Sequence, residues 1–503
     1  MFWEILAFIL GVTILARYLY PWRNSPLLPP GPKGLPLIGN LFDMPSSSEW
    51  LTYAEWGKKY NSEIVYANVA GTSIVILNSA YAAKELLEKR SAIYSSRPRL
   101  VMLTELSGWA FAFALMPYND AWKARRRIFQ KHFYPSNTDI YQPLETEYVH
   151  QLLFKLLEDP KPFLEHIRHM VGSVALSITY GIKIHTFNDP FINLAERAMT
   201  GVSESLVAGA FLVDTIPVLK YVPEWFPGAT FQRKARNNRK AAKDIRCLPF
   251  IETQKEMASG SVAPSLISLS LQESNSEEYL DLLRDVGTQV YVAAADTTAS
   301  SVGSFILAMV CFPDIKVKAQ KELDHVLNGR LPEHNDMQSL PYLSAIVKEV
   351  LRWQVVTPMA VPHLATEDDT YNGYHIPKNS IVIGNSWAIL HDEADYPDPH
   401  SFRPERFLKD DKIDPFVKDP EEAAFGFGRR MCPGRHIAQS TLWLAAGCIL
   451  TCFDLRKAVD SNGQEIEPSR EYRLGGIIQP LPFACIIEPR SKESEQLLRT
   501  ALI

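Results

Sequence analysis

Hydrophobic positions along the chain first follow a strand-like pattern and then a helical one. Two apolar, β-branched runs, 64–66 and 74–77, stand on either side of Gly71-Thr72 and predict a β-hairpin. Helical periodicity dominates after this hairpin, and strand-like stretches return only near residues 360–386 and in the tail. The pattern predicts a mainly α fold with small β-sheets (α+β) at one edge.

A long buried helix is predicted from Tyr279 to Cys311. The segment contains no proline, and Pro313 ends it. At 1.5 Å per residue this helix would be roughly 50 Å long, enough to cross a whole domain. In its middle, Asp296 and Thr297 follow three alanines. Because a buried aspartate usually needs a partner, Asp296 either makes a local cap or salt bridge, or serves as a functional acid.

The first residues of the chain have the pattern of a membrane anchor. Residues 1–22 carry only Glu4 and Arg17 as charged residues, and this length is about enough to span a bilayer. A cleaved signal peptide is the alternative, but no basic region precedes the apolar run and no clear cleavage site follows it. Cations on the C-terminal side favour a cytosolic body. We therefore predict a single transmembrane anchor over residues 1–22.

A proline-rich connector is predicted over residues 23–40. Four prolines lie between Leu28 and Pro36, which gives a stiff, non-helical segment. A disordered linker is the alternative, yet the apolar residues of the segment favour docking against the body. Although 503 residues also fit two domains, we predict one catalytic domain over residues 41–503.

Composition excludes few functions. The chain is 46% hydrophobic and 22% charged, which is ordinary for a globular protein. A net charge of -5 and the lack of a basic aromatic strip give no reason to expect nucleic acid as a partner. The six cysteines show no framework spacing, and the chain contains no Asn-x-Ser/Thr sequon. Both facts favour a reducing, cytosol-facing body.

The segment 425–438 holds the most informative pattern, a cysteine among glycines and arginines. Gly426 and Gly428 permit close backbone approaches, and the apolar run 437–450 predicts a helix whose N-terminus points at the Cys432 sulfur. A buried structural cysteine is one interpretation. A zinc site with His436 is another, although structural zinc needs about four ligands in paired spacings. The third is a single axial thiolate to haem iron.

These features together resemble the cytochrome P450 family. The loop matches the family pattern Phe-x-x-Gly-x-Arg-x-Cys-x-Gly at Phe425, Gly428, Arg430, Cys432 and Gly434. The acid and alcohol of the long helix, a Glu-x-x-Arg pair and a Pro-Glu-Arg-Phe stretch occur in the family's order. The likeness covers nearly the whole chain and implies the cytochrome P450 fold. The chain resembles in particular mushroom natural-product hydroxylases, such as one that acts on tryptamine.

The resemblance implies roles for particular residues. Cys432 is expected to be the axial ligand of haem b, and Asp296 and Thr297 are expected to deliver protons for dioxygen cleavage. Ala294 stands where the family usually has glycine. The expected cofactor contacts are Trp122, Arg126, Ala293, His363, Phe425, Arg430 and Gly434. The expected substrate pocket contains Val355, Val356, Met359 and Ile477, and a buried ionic triad behind the loop contains Glu349, Arg352 and Arg406.

The implied function is a monooxygenase that inserts one oxygen atom from O₂ into an apolar small molecule, by hydroxylation or epoxidation. Terpenoid, indole or polyketide tailoring in fungal secondary metabolism is the expected setting. Two alternatives remain at this point. A haem-thiolate isomerase or dehydratase works without a reductase, and a haem-binding sensor has no turnover.

The resemblance also implies partners. Electrons are expected from NADPH through a separate cytochrome P450 reductase, with cytochrome b5 as a second donor, because the chain contains no flavin or dinucleotide module. Lys123, Arg125, Arg127 and Lys131 form a candidate basic face for that reductase, although most charge runs are simply solvated. The apolar segment 205–230 is expected to cover the substrate and contact lipid. The expected location is the endoplasmic reticulum membrane, with the catalytic domain facing the cytosol.

Overall fold

The computed structural model describes residues 26–184, 189–206 and 210–500. The predicted anchor at residues 1–22 lies outside the described residues and stays a prediction. The described chain is mostly helical, as predicted. Its α-helices are α1 (Glu49–Tyr60), α2 (Ala80–Ala83), α3 (Ser91–Tyr94), α4 (Asp120–Phe133), α5 (Gln142–Glu158), α6 (Phe163–Tyr180), α7 (Pro190–Leu206), α8 (Leu212–Thr215), α9 (Thr230–Ser259), α10 (Leu266–Ser270), α11 (Glu277–Cys311), α12 (Pro313–Leu327), α13 (Pro341–Trp353), α14 (Ser386–Leu390), α15 (Glu421–Ala424), α16 (Arg435–Cys452) and α17 (Lys492–Thr500).

Short strands form several small sheets. They are β1 (Ile64–Val69), β2 (Thr72–Leu77), β3 (His363–Leu364), β4 (Asp369–Tyr371), β5 (Tyr374–Ile376), β6 (Ile381–Gly384), β7 (Leu408–Lys409), β8 (Lys412–Ile413), β9 (Phe453–Val459), β10 (Glu465–Ile466), β11 (Tyr472–Arg473), β12 (Gln479–Pro480) and β13 (Cys485–Pro489). β1 and β2 pair antiparallel with Val69 opposite Thr72, which confirms the predicted hairpin. The predicted strands near residues 360–386 and in the tail are also present.

The described residues group into two compact units. The first contains residues 26–98, 359–389 and 427–429. It holds a four-stranded sheet in the order β1-β2-β6-β3, packed around Val65, Ile76 and Ile383. The proline-rich connector docks here as predicted, since the carbonyl of Pro30 accepts the N–H of Tyr66 at 2.9 Å.

The second unit contains residues 99–358, 390–426 and 430–500, and its centre is α11. α11 packs against α4, α6, α7, α9, α13 and α16. Its observed bounds confirm the predicted helix, and Pro313 starts the next one. Among the described helices, α11 is the one long and apolar enough to cross a membrane. Because 72% of its apolar window is buried inside the protein, we assign it as a core helix.

The middle of α11 departs from the burial of the rest of the helix. Residues 298–310 are buried, whereas residues 293–297 are exposed or only partly buried. Because buried residues lie on both sides of this stretch, at 290–292 and 298–310, the stretch must face an internal space. That stretch contains the predicted acid and alcohol.

Candidate active site

The loop before α16 positions the Cys432 thiol. α15 ends at Ala424, and the carbonyl of Phe425 accepts the N–H of Cys432 at 2.8 Å, which closes the loop. Gly426 has a φ of 79°, a left-handed conformation that favours glycine. Gly434 caps the start of α16, and its backbone N–H donates to the Cys432 sulfur. The predicted loop and its helix are therefore both present.

Two opposing effects act on the Cys432 thiol. Burial is the larger effect and raises the pKa of the thiol. The N–H of Gly434 lowers this pKa, as predicted for a helix N-terminus, and so do Arg126 and Arg435. The protein alone therefore favours the neutral thiol. A metal bound at the sulfur reverses this preference, because a coordinating thiol is deprotonated outright.

Trp122, Arg126 and Arg430 form a cluster beside this loop. Trp122 and Arg126 lie one turn apart on α4, and Nη2 of Arg126 donates to the carbonyl of Met431 at 3.0 Å. The guanidinium of Arg430 lies 4.5 Å from the Trp122 ring centroid and donates to two backbone carbonyls. The structure thus brings three predicted cofactor-binding residues together.

The electrostatics of this cluster call for an anion. Burial lowers the pKa of Arg126, and burial together with the neighbouring Arg126 lowers the pKa of Arg430 to about 10. Within the described ranges, no ion pair joins Arg126 to a carboxylate. Two close, buried guanidiniums repel each other, and an anion between them removes the repulsion. The propionates of haem supply such anions.

The predicted acid and alcohol occupy the exposed stretch of α11. Burial raises the pKa of Asp296 to about 6, with Arg168 and Arg473 lowering it and Glu196 raising it. Oγ1 of Thr297 donates to the carbonyl of Ala293 at 2.7 Å. The hydroxyl proton is therefore held inside the helix, and the oxygen presents lone pairs to the internal space.

A cavity of about 1050 Å³ lies beside this stretch. Asp296 lines it, together with residues of α6, α7 and α9, the segment 210–231 and the turn after β11. Ile477 lines it as well, as the sequence predicted. The segment 210–231 supplies aromatic and aliphatic walls, including Phe211 and Phe226. The cavity therefore combines an apolar wall with an acid on the central helix.

The other predicted pocket residues occupy different surroundings. Val355 is buried, and the carbonyl of Val356 accepts the N–H of Ile478 at 2.9 Å, which joins the segment after α13 to the Ile477 turn. Met359 belongs to the first unit and packs against its sheet core. None of these three lines the cavity beside Asp296. Their contact with substrate stays a prediction.

His363 lies in β3 of the first unit and is buried. Its Nδ1 lies 2.7 Å from the carbonyl of Tyr94, so Nδ1 carries the hydrogen that this contact requires. In the neutral ring Nε2 is then an acceptor, and only the protonated ring has a second N–H to donate. A propionate contact from His363 stays a prediction that depends on its charge.

The predicted ionic triad is present and buried. Arg352 binds Glu349 through two hydrogen bonds of 2.7 and 2.9 Å, and Arg406 Nε lies 3.1 and 3.2 Å from the same carboxylate. The backbone N–H of Arg403 donates to it at 2.7 Å. The side chains of Glu349 and Arg352 are fully inaccessible. The Glu-x-x-Arg pair on α13 is therefore a buried network and not a surface pair.

The predicted basic face on α4 is smaller than expected. Arg125 donates to the buried carboxylate of Asp285 at 2.6 and 3.0 Å, and its side chain is only 15% exposed. Lys123 pairs with Asp120, and Lys131 pairs with Glu273, at the surface. Arg125 therefore connects α4 to α11, and its assignment to a docking face was wrong.

The residues around Cys432 fit a haem group and do not fit zinc. In the described part of the chain, no group of three or more His, Cys, Asp or Glu side chains could hold a metal ion, whereas structural zinc needs about four ligands. A Cβ added at Gly434 would meet only Phe129, at 3.9 Å, so the start of α16 borders open space. A single thiol, two buried cations and an open stretch of α11 match the needs of a flat, dianionic cofactor.

Five charged residues of the cavity besides Asp296 were missed by the sequence interpretation: Glu204 and Lys234, which bind each other, and three that make no ion pair within the described residues. Arg168 on α6, Glu196 on α7 and Arg473 in β11 all line the cavity with Asp296. Each is a single charge far from the others along the chain, and isolated charges on helices are usually solvated. Sequence spacing carried no signal that these elements converge, so only the folded structure could assign them.

Comparison with known proteins gives the same family. The family model described as Cytochrome P450 matches residues 29–483. The chain is 55% identical to Cytochrome P450 monooxygenase ple1 of Rhodocybe pseudopiperita, over 94% of this chain and 91% of the relative. It is 45% identical to Cytochrome P450 monooxygenase 98 of Postia placenta, over 98% and 96%. It is 42% identical to Tryptamine 4-monooxygenase of Psilocybe cyanescens, over 93% and 94%.

Each of these matches covers nearly the whole of this chain and nearly the whole length of the relative. All three relatives are named as monooxygenases, that is, enzymes that insert oxygen. Their names give no support to the alternatives of an isomerase or a sensor. The mostly helical fold with small sheets, the cysteine loop and the acid-alcohol pair on α11 agree with this assignment. The chain belongs to the cytochrome P450 family, and it is a haem monooxygenase.

Proposed function

We propose that the protein hydroxylates or epoxidises an apolar natural product, using haem b bound through Cys432 and electrons from NADPH by way of a separate reductase. The observation that carries this proposal is that Asp296, in the exposed stretch of α11, lines a large, mostly apolar cavity in the same unit as Cys432. Tailoring in fungal secondary metabolism is the setting that the named relatives favour.

Bound haem would supply the binding and reductive activation of dioxygen, with the thiolate donating electron density. The chain's own residues hold and protect that chemistry. Arg126 and Arg430 would neutralise the propionates, and Phe425 and Gly434 shape the loop around the sulfur. The buried flanks of α11 exclude bulk water from the open stretch between them.

Two residues of α11, Asp296 and Thr297, are suited to proton transfer. With a pKa of about 6, Asp296 can both hold and release a proton near neutral pH. Thr297 has its own proton bound to Ala293, so it accepts a hydrogen bond from a water that brings the proton. We assign Asp296 as the proton source and Thr297 as the residue that orients the carrier water.

Thr297→Ala is expected to uncouple the enzyme. Without the hydroxyl, the carrier water loses an anchor, and reducing equivalents should leave as peroxide or water. The expected result is a severalfold to tenfold lower yield of product per NADPH, with NADPH consumption largely retained. The measurement is product and peroxide per NADPH, with purified enzyme, reductase and a substrate found by screening terpenoids, indoles and polyketides for haem spectral shifts.

Thr298→Ala is the matched control, because Thr298 is the next residue on α11 but is buried. It removes the same atoms and should leave coupling unchanged. Full coupling in Thr297→Ala would contradict the assigned role. Product formed without NADPH would contradict the monooxygenase itself and favour an isomerase.

The raised pKa of Asp296 predicts a pH-dependent stability difference between wild type and Asp296→Asn. Folding raises this pKa from 3.8 to about 6, so the folded state binds the proton more tightly than the unfolded state. The carboxyl therefore stabilises the fold most below about pH 4, and this contribution is lost as pH rises to about 6. The wild type should lose up to about 3 kcal/mol relative to the variant across this window.

Urea unfolding from pH 4.5 to 7.5 measures the part of this difference that falls above pH 4.5, about 2 kcal/mol. Burial also raises the pKa of Asp214 to about 6, but both proteins contain Asp214, so its contribution cancels. A stability difference that stays constant with pH would show that Asp296 titrates normally in the folded protein.

Membrane attachment is a further part of the proposal. Besides the predicted anchor, the segment that covers the cavity exposes large apolar side chains to the outside, and Trp225 is 81% exposed. Exposed aromatic and aliphatic residues in a row are typical of membrane contacts. We place the catalytic domain on the cytosolic face of the endoplasmic reticulum, with apolar substrates entering from the lipid side. The large apolar residues of this segment that are exposed and do not line the cavity are Ile216, Val218, Tyr221 and Trp225.

A further inference from the structure

We propose that the natural substrate carries a carboxylate on an apolar skeleton, and that Arg168 and Arg473 bind this carboxylate inside the cavity. The inference rests on the proposed monooxygenase function and gives its cavity a substrate class. Carboxylate binding by two guanidiniums is a strong and directional interaction, because each guanidinium presents paired N–H donors to an oxyanion.

The two arginines reach the cavity from separate elements. Arg168 belongs to α6, Arg473 to β11, and both line the cavity with Asp296. No ion pair within the described residues joins either arginine to an acidic side chain. The internal stretches left undescribed, 185–188 and 207–209, contain no aspartate or glutamate. The cavity therefore presents two cations without a fixed counter-ion.

The acids that line the cavity are not fixed counter-ions of these two arginines. Lys234 and Glu204 also line it, but they bind each other at 3.1 Å and add no net charge. Glu196 and Asp296 remain as possible counter-charges, and neither lies within ion-pair distance of an arginine in the described structure. Asp296 can shed its charge by taking up a proton, whereas a guanidinium cannot lose its proton in a protein.

The resulting charge balance favours an anion over a cation. When Asp296 carries its proton, the two arginines and Glu196 sum to one positive charge. One carboxylate neutralises that sum and keeps Asp296 in the protonated state that proton delivery needs. An amine would instead face two guanidiniums and would favour the ionised form of Asp296.

The rest of the cavity suits an apolar skeleton. Phe211, Val213 and Phe231 come from the covering segment and α9, and Met199 and Ile477 face the same space. A volume of about 1050 Å³ lies at the large end of the range for small-molecule sites. An amphiphile with one charged end and a bulky or long apolar part fits this combination.

The test compares three probes that share one carbon chain, dodecanoic acid, dodecan-1-ol and the quaternary amine dodecyltrimethylammonium, whose nitrogen has no lone pair for the haem iron. Equilibrium dialysis against purified haem-loaded protein gives their affinities, and the haem absorbance shift reports binding inside the cavity. We expect the acid to bind about ten- to a hundredfold more tightly than the alcohol, as for hydrogen bonds to charged groups. The amine should bind more weakly than the alcohol.

Variants connect this preference to the two arginines. The double variant Arg168→Leu/Arg473→Leu should bring the ratio of acid to alcohol affinity to about one, with alcohol affinity retained. The double variant Lys234→Leu/Glu204→Leu is the matched control, because this pair lines the same cavity and its removal leaves the net charge unchanged, so the ratio should stay as in wild type. If the double variant loses haem, Arg168→Lys and Arg473→Lys replace it, and each should reduce the ratio partially.

Two results would overturn the proposal. One is equal binding of acid and alcohol to wild type, and the other is tightest binding of the amine. These results leave the monooxygenase assignment standing, since they concern the ligand only. Conversely, selective acid binding without NADPH-dependent oxidation of any substrate would refute the proposed function and keep the carboxylate site.

Discussion

Cys432→Ala is expected to lose the thiolate-type spectrum and all monooxygenase turnover. Alanine has no lone pair for the iron, and the closed loop at Cys432 holds its sulfur near the positive charges of Arg126 and Arg435. The reduced, CO-bound absorbance should leave the thiolate position, and product formation with reductase and NADPH should fall below detection. Haem content should also fall, because the axial bond is one of the main links between the cofactor and the protein.

Cys485→Ala is the matched control for this variant. Cys485 is another partly buried, free cysteine, and it lies in β13. Its substitution should leave both the spectrum and turnover at wild-type levels. A Cys432→Ala protein that kept the thiolate-type spectrum would show that another residue binds the iron.

Cys432→His separates cofactor binding from the chemistry of the thiolate. Histidine still offers a nitrogen ligand, so part of the haem should be retained, with the spectrum of a nitrogen ligand. Oxygen insertion should nevertheless be lost, because imidazole donates less electron density than a thiolate. Retained oxygen insertion in this variant would show that the sulfur matters for binding alone.

The features that sequence could predict are those set by short segments. A long apolar segment without proline that Pro313 ends predicts α11, and two β-branched runs around the turn at Gly71 predict the first hairpin. The cysteine loop is equally local, since the carbonyl of Phe425 and the N–H of Gly434 lie within seven residues of Cys432. Each of these depends on neighbours in the chain.

The features that sequence could not predict depend on distant elements. Arg125 looks like part of a solvated basic run, but Asp285, 160 residues away, binds it. The charges of the cavity come from α6, α7, α9, α11 and β11, whose convergence leaves no periodic signal. The direction of the Cys432 pKa was also beyond the sequence, because it depends on how far burial outweighs the helix N-terminus.

Glu349→Gln is expected to destabilise the fold strongly, because the Glu349 carboxylate is the shared partner of two arginines. The substitution keeps the size of the side chain but removes its charge, and Arg352 and Arg406 then remain as buried cations without a carboxylate. Removing one partner from such a buried ionic network lowers the free energy of unfolding by about 3–5 kcal/mol. Haem retention should fail before turnover does, so the variant should lose haem faster on mild heating while freshly loaded enzyme still works.

Glu252→Gln is the control that separates burial from charge. Glu252 pairs with Lys255 at the same i, i+3 spacing at the surface, where the Lys255 side chain is 74% exposed. Water can solvate Lys255 when the Glu252 carboxylate is lost, so the free energy of unfolding should fall by less than about 1 kcal/mol. Urea unfolding and the rate of haem loss measure both variants. If Glu349→Gln unfolded at the wild-type urea concentration, the network at Glu349 would be dispensable, and retention of haem would have to depend on the loop alone.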